Sequence, residues 1–326
     1  MNIDAQILSA FYKARGGAVS GSELSQKLEL SRAAIWARIE ELRSLGFEIE
    51  ASPHLGYRLV SAPDRLLADD LIARLGRTRV IGRNIQVFQE TTSTNDIIEK
   101  LARDGVKEGA VVFAETQTRG RGRLGRRWLS PAGKGLWFSV LLRPKVRLTE
   151  TTRLTVTCAV ALRRAIQAHT GLDLEIKWPN DLLAEGRKLA GILTELRAEL
   201  DETKYVIVGI GVDVNLAAAD FPPELRPDAT SLRAQLGTTI DRPDLAVAIL
   251  RELDADYQRL SGGHFAEIAD EWEEHCDTLG KEVLIQAGER QLRGRAESLD
   301  NDGALLLRTE HGRLERIVGG DVALAK

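Results

Sequence analysis

Apolar residues in the first 60 positions recur at the spacing of short helices. The first helix ends at Gly16-Gly17, Ser20 opens a capping-box pattern for a second, and Ser31 can cap a third. Their inner faces are apolar, at Ile3, Ile7, Leu8, Phe11, Leu24, Leu28, Ile35, Ile39 and Leu42. Two short segments that flank Pro53 to Gly56 read as a two-stranded wing. The pattern predicts a winged helix-turn-helix over residues 1–62.

Residues 63–276 contain both segments with the apolar spacing of helices and segments with the pattern of β-strands. Residues 155–169 and 265–276 follow helical spacing, and strands are predicted at 111–114, 136–142, 174–178, 191–196 and 205–214. Because helices and strands do not alternate strictly, we expect an α+β domain with a mixed or antiparallel sheet.

After residue 277 four short strands are predicted, at 282–286, 291–299, 304–308 and 314–318, separated by Gly, Asn and Asp turns with a hairpin signal at Asn301-Asp302-Gly303. They predict a small SH3-like β-barrel over residues 277–326. The whole chain is therefore expected to be a multidomain α+β protein.

Composition narrows the class of protein. A 326-residue chain with 43% hydrophobic residues is expected to fold into two or three domains. No apolar run approaches a membrane span, and the first residues lack the pattern of a signal peptide, so we expect a cytoplasmic protein with no membrane partner and with reduced cysteines. The five histidines lack metal-ligand spacing, which predicts no structural zinc. The net charge of −3 means that any nucleic-acid binding must come from a local patch.

An arginine- and glycine-rich segment is the sharpest local feature. Residues 119–127 contain five arginines and three glycines. Glycine lets the backbone approach a ligand and arginine supplies forked donors for phosphate or carboxylate, so we predict an anion-binding loop. The letters match G-x-G-x-x-G, but a strand follows rather than a helix, which argues against a dinucleotide fold. A solvated surface loop or a nucleic-acid tail is the alternative.

Three other motifs each have a functional and a structural interpretation. Lys177-Trp178-Pro179-Asn180-Asp181 aims a lysine from a strand end, either toward an anion or merely toward solvent. Ser93 or Thr94 is a helix N-cap or a ligand contact. Gly209 and Gly211 interrupt an apolar strand, which indicates either close approach of a ligand or another backbone, or a β-bulge.

Taken in order, these motifs resemble the bifunctional biotin–protein ligase and biotin-operon repressor family. The matching segments are Ser31 to Ile35, Ser93 to Asn95, Gly120 to Trp128, Lys177 to Asp181, Arg187 to Leu193 and Gly209 to Gly211. The resemblance spans essentially the whole chain. A lipoate–protein ligase shares the catalytic fold by resemblance, but the N-terminal domain and the arginine loop favour biotin.

The resemblance implies a two-step reaction. The carboxylate of biotin attacks the α-phosphate of ATP, with Mg²⁺, and gives biotinyl-5′-AMP and pyrophosphate. A lysine of the biotin carboxyl carrier protein of a biotin-dependent carboxylase then attacks this mixed anhydride. The resemblance also implies a repressor, in which the bound adenylate promotes a homodimer that binds operator DNA.

Roles for individual residues follow from the same resemblance. It assigns catalysis to Lys177, Arg121 and Arg123. It assigns biotin binding to Ser93, Thr94, Asn95, Gln117, Gly120, Arg121, Gly122, Arg123, Lys177 and Gly191. ATP is assigned to Arg121, Arg123, Trp128, Lys177, Asn180, Asp181, Gly209, Gly211 and Asn215, with Trp128 packed on adenine and Asp181 helping to hold Mg²⁺. DNA is assigned to Ser31, Arg32, Ala33, Trp36, Ala37 and Arg38.

Two departures from the family pattern leave alternatives open. The wing reads His54-Leu55-Gly56-Tyr57 where repressors commonly carry a lysine, and residues 1–60 hold seven basic and seven acidic side chains. We therefore expect weak non-specific DNA affinity. Asp213 stands where the family often has Asn. The alternatives are a ligase with a vestigial DNA-binding domain and a non-catalytic ligand-sensing regulator.

Overall fold

The computed structural model describes residues 2–144, 147, 150–199 and 202–324. The chain forms two compact units. The first comprises the residues up to 77 together with 241–247, and the second comprises 78–240 and the residues from 248 onward. The ends of the predicted first and third domains, Met1 and residues 325–326, lie outside the described residues.

The first unit is a helix-turn-helix with a wing, as predicted. Its elements are α1 (Ile3–Ala14), α2 (Gly21–Leu28), α3 (Arg32–Ser44), β1 (Glu48–Ser52), β2 (Gly56–Ser61) and α4 (Ala68–Leu75). The hydroxyl of Ser20 accepts from the backbone N–H of Ser22 and Glu23, and that of Ser31 accepts from Ala34, so both predicted caps form. The predicted apolar faces meet in one core. The unit continues past the predicted domain boundary at residue 62, because α4 packs against α1.

A mixed seven-stranded sheet forms the centre of the second unit. Its strands are β3 (Asn84–Thr91), β4 (Ala110–Gln117), β5 (Gly135–Leu142), β6 (Glu175–Lys177), β7 (Asp181–Ala184), β8 (Arg187–Glu199) and β9 (Glu202–Asp213). They lie in the order β3-β4-β5-β9-β8-β7-β6. β3 runs parallel to β4 and the other neighbours are antiparallel, so the α+β expectation is confirmed.

The remaining helices are α5 (Thr94–Arg103), α6 (Thr152–Thr170), α7 (Leu232–Leu236), α8 (Arg242–Ser261) and α9 (Phe265–Glu274). α6 ends at Gly171, which is in the left-handed region, as the sequence predicted. No helix in the described part of the chain is both long and apolar enough to cross a membrane.

A five-stranded antiparallel sheet ends the described chain. Its order is β13-β12-β11-β10-β14, built from β10 (Glu282–Ala287), β11 (Arg290–Leu299), β12 (Leu305–Thr309), β13 (Leu314–Ile317) and β14 (Asp321–Leu324). The sequence predicted the first four strands but not β14. This C-terminal sheet belongs to the second unit, together with the central sheet.

Candidate functional site

The strands of the central sheet align the candidate residues in one transverse row. Lys177 lies opposite Asp181, Asp181 opposite Gly191, and Gly191 opposite Gly211. Residues directly opposite in neighbouring strands point to the same face of a sheet. Lys177 and Gly211, which are 34 residues apart in sequence, therefore lie on one face of the sheet. Together with Asp181 and Gly191 they line a cavity of about 580 Å³.

One end of this central cavity is a polar network that follows the N-terminus of α5. Ser93, Thr94 and Asn95 are each only 3% exposed. The side-chain carbonyl of Gln117 accepts from the Thr94 backbone N–H at 2.8 Å, and the amide of Asn95 donates to Glu195 at 2.7 Å. Ser93 takes the N-cap position, but its side chain makes no capping hydrogen bond. Capping therefore does not account for that hydroxyl, which faces the cavity.

The arginine-rich loop lines the cavity and is held in place by two of its arginines. Arg121 donates to Asp96 at 2.7 Å, and Arg123 donates to the side chain of Asn180 at 2.7 Å and to the carbonyl of Gly320 at 2.9 Å. Burial lowers the pKa of Arg123, and the charges of Asp181 and Asp321 oppose that effect. The predicted anion-binding loop thus presents two fixed guanidinium groups to the cavity.

Lys177 is the candidate with no counter-charge. It ends β6, lines the cavity, and its ammonium has no hydrogen bond or ion pair among the residues that the structure describes. The cis peptide between Trp178 and Pro179 follows it, and the buried side chain of Asn180 donates to the carbonyl of Ile192. This turn fixes the end of the strand, so Lys177 is available for an anion.

The glycines of β9 make room for side chains. A Cβ on Gly211 would lie 2.6 Å from Trp128, and one on Gly209 would lie 2.4 Å from the side-chain oxygen of Asn95. The pairing of β9 with β5 and β8 is regular across both positions, so the bulge interpretation was wrong. Trp128 lies against Gly191 and Gly211, and its ring meets that of Trp137 edge-on at 6.4 Å. The groups that approach the two glycines are therefore the side chains of Asn95 and Trp128 rather than another backbone, and approach of a ligand stays a prediction.

Three charged side chains, those of Asp181, Lys188 and Asp213, lie close together at the cavity. Lys188 pairs with Asp181 at 2.7 Å, and Asp213 lies near Lys188 on the face that Gly209 and Gly211 share. Burial raises the pKa of Asp213 well above its ordinary value of 3.8, and the charge of Lys188 offsets only part of this. Lys188 lies in the Arg187 to Leu193 segment that carries the family resemblance, but the sequence predicted no role for it.

The C-terminal sheet supplies a wall of the cavity that no motif predicted. Lining residues come from β10, from the start of β11, and from β14 with the turn before it: Leu284, Gln286, Gln291, Gly320, Asp321, Val322 and Ala323. Arg126 of the loop forms an ion pair with Asp321. The sequence contains no pattern that marks these lining residues, because residues of these types are common in β-strands.

Two predicted contacts do not reach the cavity. Gly120 lies outside its lining, and a Cβ there would collide with the carbonyl of Trp128 at 2.6 Å. Both amide atoms of Asn215 are used by the backbone of Ile240, at 2.9 and 3.0 Å. Close backbone approach explains Gly120 and hydrogen bonding explains Asn215. We therefore assign neither residue to ligand binding.

The residues assigned to DNA lie on the outer face of α3 and its cap. Ser31, Arg32, Ala33, Trp36 and Ala37 are exposed, and the side chain of Trp36 is 57% exposed. Arg38 is half-buried against Asp4 at 2.9 Å. Most of these side chains are uncharged, so this face is not strongly cationic.

Metal ligands do not cluster in the described part of the chain. No group of three or more His, Cys, Asp or Glu side chains there is placed to hold an ion. Asp181 lines the cavity, where it is not grouped with other described carboxylates as a ready-made metal site. That arrangement fits an ion that takes most of its ligands from phosphate oxygens and water, as Mg²⁺ does.

Comparisons with known proteins agree with this geometry. Residues 87–213 match the model of the biotin/lipoate A/B protein ligase family, residues 4–58 match an HTH domain, and residues 278–324 match the biotin protein ligase C-terminal domain. The bifunctional ligase/repressor BirA of Bacillus spizizenii is 38% identical over 98% of this chain and 97% of its own.

More distant relatives cover the same regions. The bifunctional ligase/repressor BirA of Escherichia coli is 30% identical over 95% of this chain and 94% of its own. The structure of a biotin protein ligase from Aquifex aeolicus in complex with biotin and ATP superposes with a TM-score of 0.65 at 31% identity. That match covers 75% of this chain and 99% of the other.

Proposed function

Because the chain belongs to the family of bifunctional biotin–protein ligases and repressors, we propose that its central cavity holds biotin and ATP side by side. The chain is an ATP-dependent biotin–protein ligase that also carries a DNA-binding repressor domain.

The unpaired ammonium of Lys177 carries the assignment of the active centre. In the first step two anions, the biotin carboxylate and the α-phosphate, must approach each other, and one oxygen of the carboxylate displaces pyrophosphate from phosphorus. A cation without a counter-charge beside this point lowers their repulsion and stabilises the charge that builds up in the transition state. Lys177 has this property, with Arg121 and Arg123 fixed nearby.

The polar end of the cavity suits biotin. We assign its recognition to Ser93, Thr94, Asn95, Gln117, Gly122 and Gly191, together with Arg121, Arg123 and Lys177. The Ser93 hydroxyl makes no capping hydrogen bond, and Gly122 and Gly191 line the same cavity. Fixed donors and acceptors orient a ligand before the reaction, which reduces the entropy lost in reaching the transition state.

ATP is assigned to the remaining length of the cavity. Trp128, Asn180, Asp181 and the Gly209–Gly211 segment line it, and Trp128 offers an aromatic face for adenine. Mg²⁺ would arrive with the phosphates and use Asp181 as its protein ligand, where it supplies charge neutralisation. The loop shields the adenylate from water until the carrier lysine attacks the mixed anhydride.

The partners follow the same assignment. We propose that the adenylate-bound chain modifies a lysine of a biotin carboxyl carrier protein, and that it forms a homodimer that binds operator DNA through α3. Both partners belong to the cytoplasm, where we propose that the chain works.

Mass spectrometry of the purified chain with ATP and Mg²⁺ tests the proposal. With biotin we expect biotinyl-5′-AMP and pyrophosphate, and with lipoate in a parallel tube we expect no adenylate. Lys177→Ala should abolish the adenylate, whereas Lys204→Ala, at a lysine paired with Glu199 away from the cavity, should not. Unchanged turnover by folded Lys177→Ala would refute its role. No adenylate from the unaltered chain would favour the ligand-sensing regulator.

A further inference from the structure

An exposed tryptophan stands on the outer face of α3. Trp36 is 57% exposed, whereas Trp137, Trp178 and Trp272 are at most 1% exposed. Tryptophan has a large apolar surface and is highly buried on average in folded proteins. The described residues that form the core of the first unit do not include Trp36. Packing within the unit therefore does not explain why the ring is at this position.

The side chains beside Trp36 are small and apolar. Ala33 lies three residues before Trp36 and four before Ala37, and residues at this spacing are neighbours on a helix surface. All three are exposed, and they lie on the side opposite the buried Ile35 and Ile39. The first turns of α3 therefore present a small apolar surface, centred on one aromatic ring and not covered by bulky neighbours.

The cations at the margins of this apolar surface are held by their neighbours. Arg32 donates to the hydroxyl of Ser22 at 2.6 Å, and Arg38 pairs with Asp4 at 2.9 Å. Hydrogen bonding to base edges commonly uses the side chains of Arg, Lys, Asn or Gln. Residues 33–37 contain none of these four types. The apolar surface is therefore suited to an apolar contact rather than to a forked hydrogen bond.

The position of α3 in the motif decides what this surface meets. Residues 4–58 match an HTH domain, and α3 is the helix that follows the turn after α2. In this motif the second helix lies in the major groove, and its N-terminal residues contact base edges. Trp36 stands early in α3, which begins at Arg32. On the base edges of the major groove, the 5-methyl group of thymine is the partner for an apolar side chain.

We propose that Trp36 determines DNA specificity by packing its ring against the 5-methyl group of thymine in the major groove, while Ala33 and Ala37 let α3 come close to the bases. This inference rests on the proposed binding of operator DNA through α3. It adds the base feature that the helix recognises. A methyl group buried against the ring loses its contact with water, and this favours thymine over a base that lacks the methyl group.

Replacement of thymine by deoxyuridine tests the contact, because it removes the methyl group and keeps the pairing with adenine. The probe is the tightest duplex selected from a random DNA library by the full chain with biotin, ATP and Mg²⁺. Each thymine of this duplex is then replaced in turn, and binding is measured by fluorescence anisotropy. At one or two positions in each half-site we expect binding to weaken by about three- to fivefold, as burial of one methyl group implies.

Variants of the chain show whether Trp36 is the residue that contacts the methyl group. At the sensitive positions, Trp36→Ala should bind the thymine and deoxyuridine duplexes equally. Trp36→Phe, with a smaller ring, should keep part of the preference, and it tests the inference even if Trp36→Ala does not fold. Leu45→Ala is the matched control, because Leu45 is an exposed apolar residue beyond the other end of α3 and should leave the preference unchanged.

The other results overturn the inference. If deoxyuridine has no effect at any position, the methyl group is not recognised. If both Trp36 variants keep the full preference for thymine, another residue contacts the methyl group. In either case DNA binding, and with it the proposed function, still stands. If the unaltered chain selects no duplex from the library, the proposed repressor role fails as well, whereas formation of biotinyl-5′-AMP still tests the ligase separately.

Discussion

Asp213 is a carboxyl group that the cavity wall disfavours in its charged form. It is 6% exposed, and burial raises its pKa well above 3.8 despite the nearby Lys188. A folded-state pKa above the unfolded value means that the group stabilises the fold fully below about pH 4, and that this contribution is lost as the pH rises through the folded pKa. At neutral pH and above, the carboxyl is therefore a cost to the folded state.

We predict that Asp213→Asn raises the stability of the chain at high pH. The gain should be on the order of 1 kcal/mol, or about 2–4 °C in Tm, and it should shrink as the pH falls toward 4, because the native carboxyl is then neutral too. Thermal unfolding of both proteins between pH 4 and pH 8 measures it.

Asp220 provides the control for this experiment. A backbone N–H of Ala217 lowers the pKa of Asp220, so Asp220→Asn should be destabilising above about pH 4 and harmless below. An Asp213→Asn gain that does not grow with pH would contradict the explanation by burial.

The sequence predicted site residues that stand out by their charge and by the turn residues beside them. It did not predict residues whose role depends on where the fold directs their side chains. The Lys177 and Arg123 motifs pair charge with turn residues, and the structure brings both to one cavity. Lys188 was not assigned because its direction depends on one extra residue in β8. Asn215 was assigned to ATP from the motif, yet its amide holds the backbone of Ile240.

At the scale of elements, β14 and the arginine loop form one contact. The guanidinium of Arg126 pairs with Asp321, and that of Arg123 donates to the carbonyl of Gly320 just before the strand. The Arg126 side chain is 67% exposed, so the pair contributes little to overall stability. We expect the ion pair to act instead by keeping the arginine-rich loop ordered.

We predict that Asp321→Arg raises the KM for ATP by about two- to fivefold, which corresponds to a partly exposed ion pair, while Tm changes little. The double variant Arg126→Asp with Asp321→Arg should recover most of the loss. Steady-state adenylation at varied ATP concentration measures both. A KM that stays at the original value in Asp321→Arg would show that the pair does not order the loop.

Elements that combine an apolar stripe with a capping residue were predicted best. Helices α1, α2 and α3 form as predicted, whereas α4 of the same unit was not predicted. β14 has four residues, too few for a periodic signal. β3 and α8 were also not predicted, although β3 alternates and Pro243 stands in the first turn of α8, where proline is favoured. These two signals were present in the sequence.

On the scale of the whole molecule, charge is balanced locally rather than concentrated. In the first unit Arg58 pairs with Glu50 at 2.6 Å, Arg43 with Glu40 at 2.5 Å, and Arg32 donates to the Ser22 hydroxyl at 2.6 Å. Cations already paired within the protein release fewer counterions when DNA binds.

The salt dependence of operator binding should therefore be weak. We predict that the logarithm of the association constant falls with the logarithm of salt concentration with a slope smaller in magnitude than about 5 for an adenylate-bound dimer. Fluorescence anisotropy over a range of potassium chloride concentrations measures it. Glu50→Gln should steepen the slope by freeing Arg58, and a slope near 10 in the unaltered protein would contradict the prediction.

Leu189 is an extra residue in β8, because Leu182 pairs with Ala190 and the next residue, Leu183, pairs with Lys188. Removal of Leu189 would leave Lys188 two positions from Gly191 in a regular strand, and residues two positions apart point to the same side. Removal of a second residue would turn Lys188 to the opposite side, away from the cavity that it lines. This strand can therefore lose its bulge and keep the lysine in place, but it has no room for a further deletion.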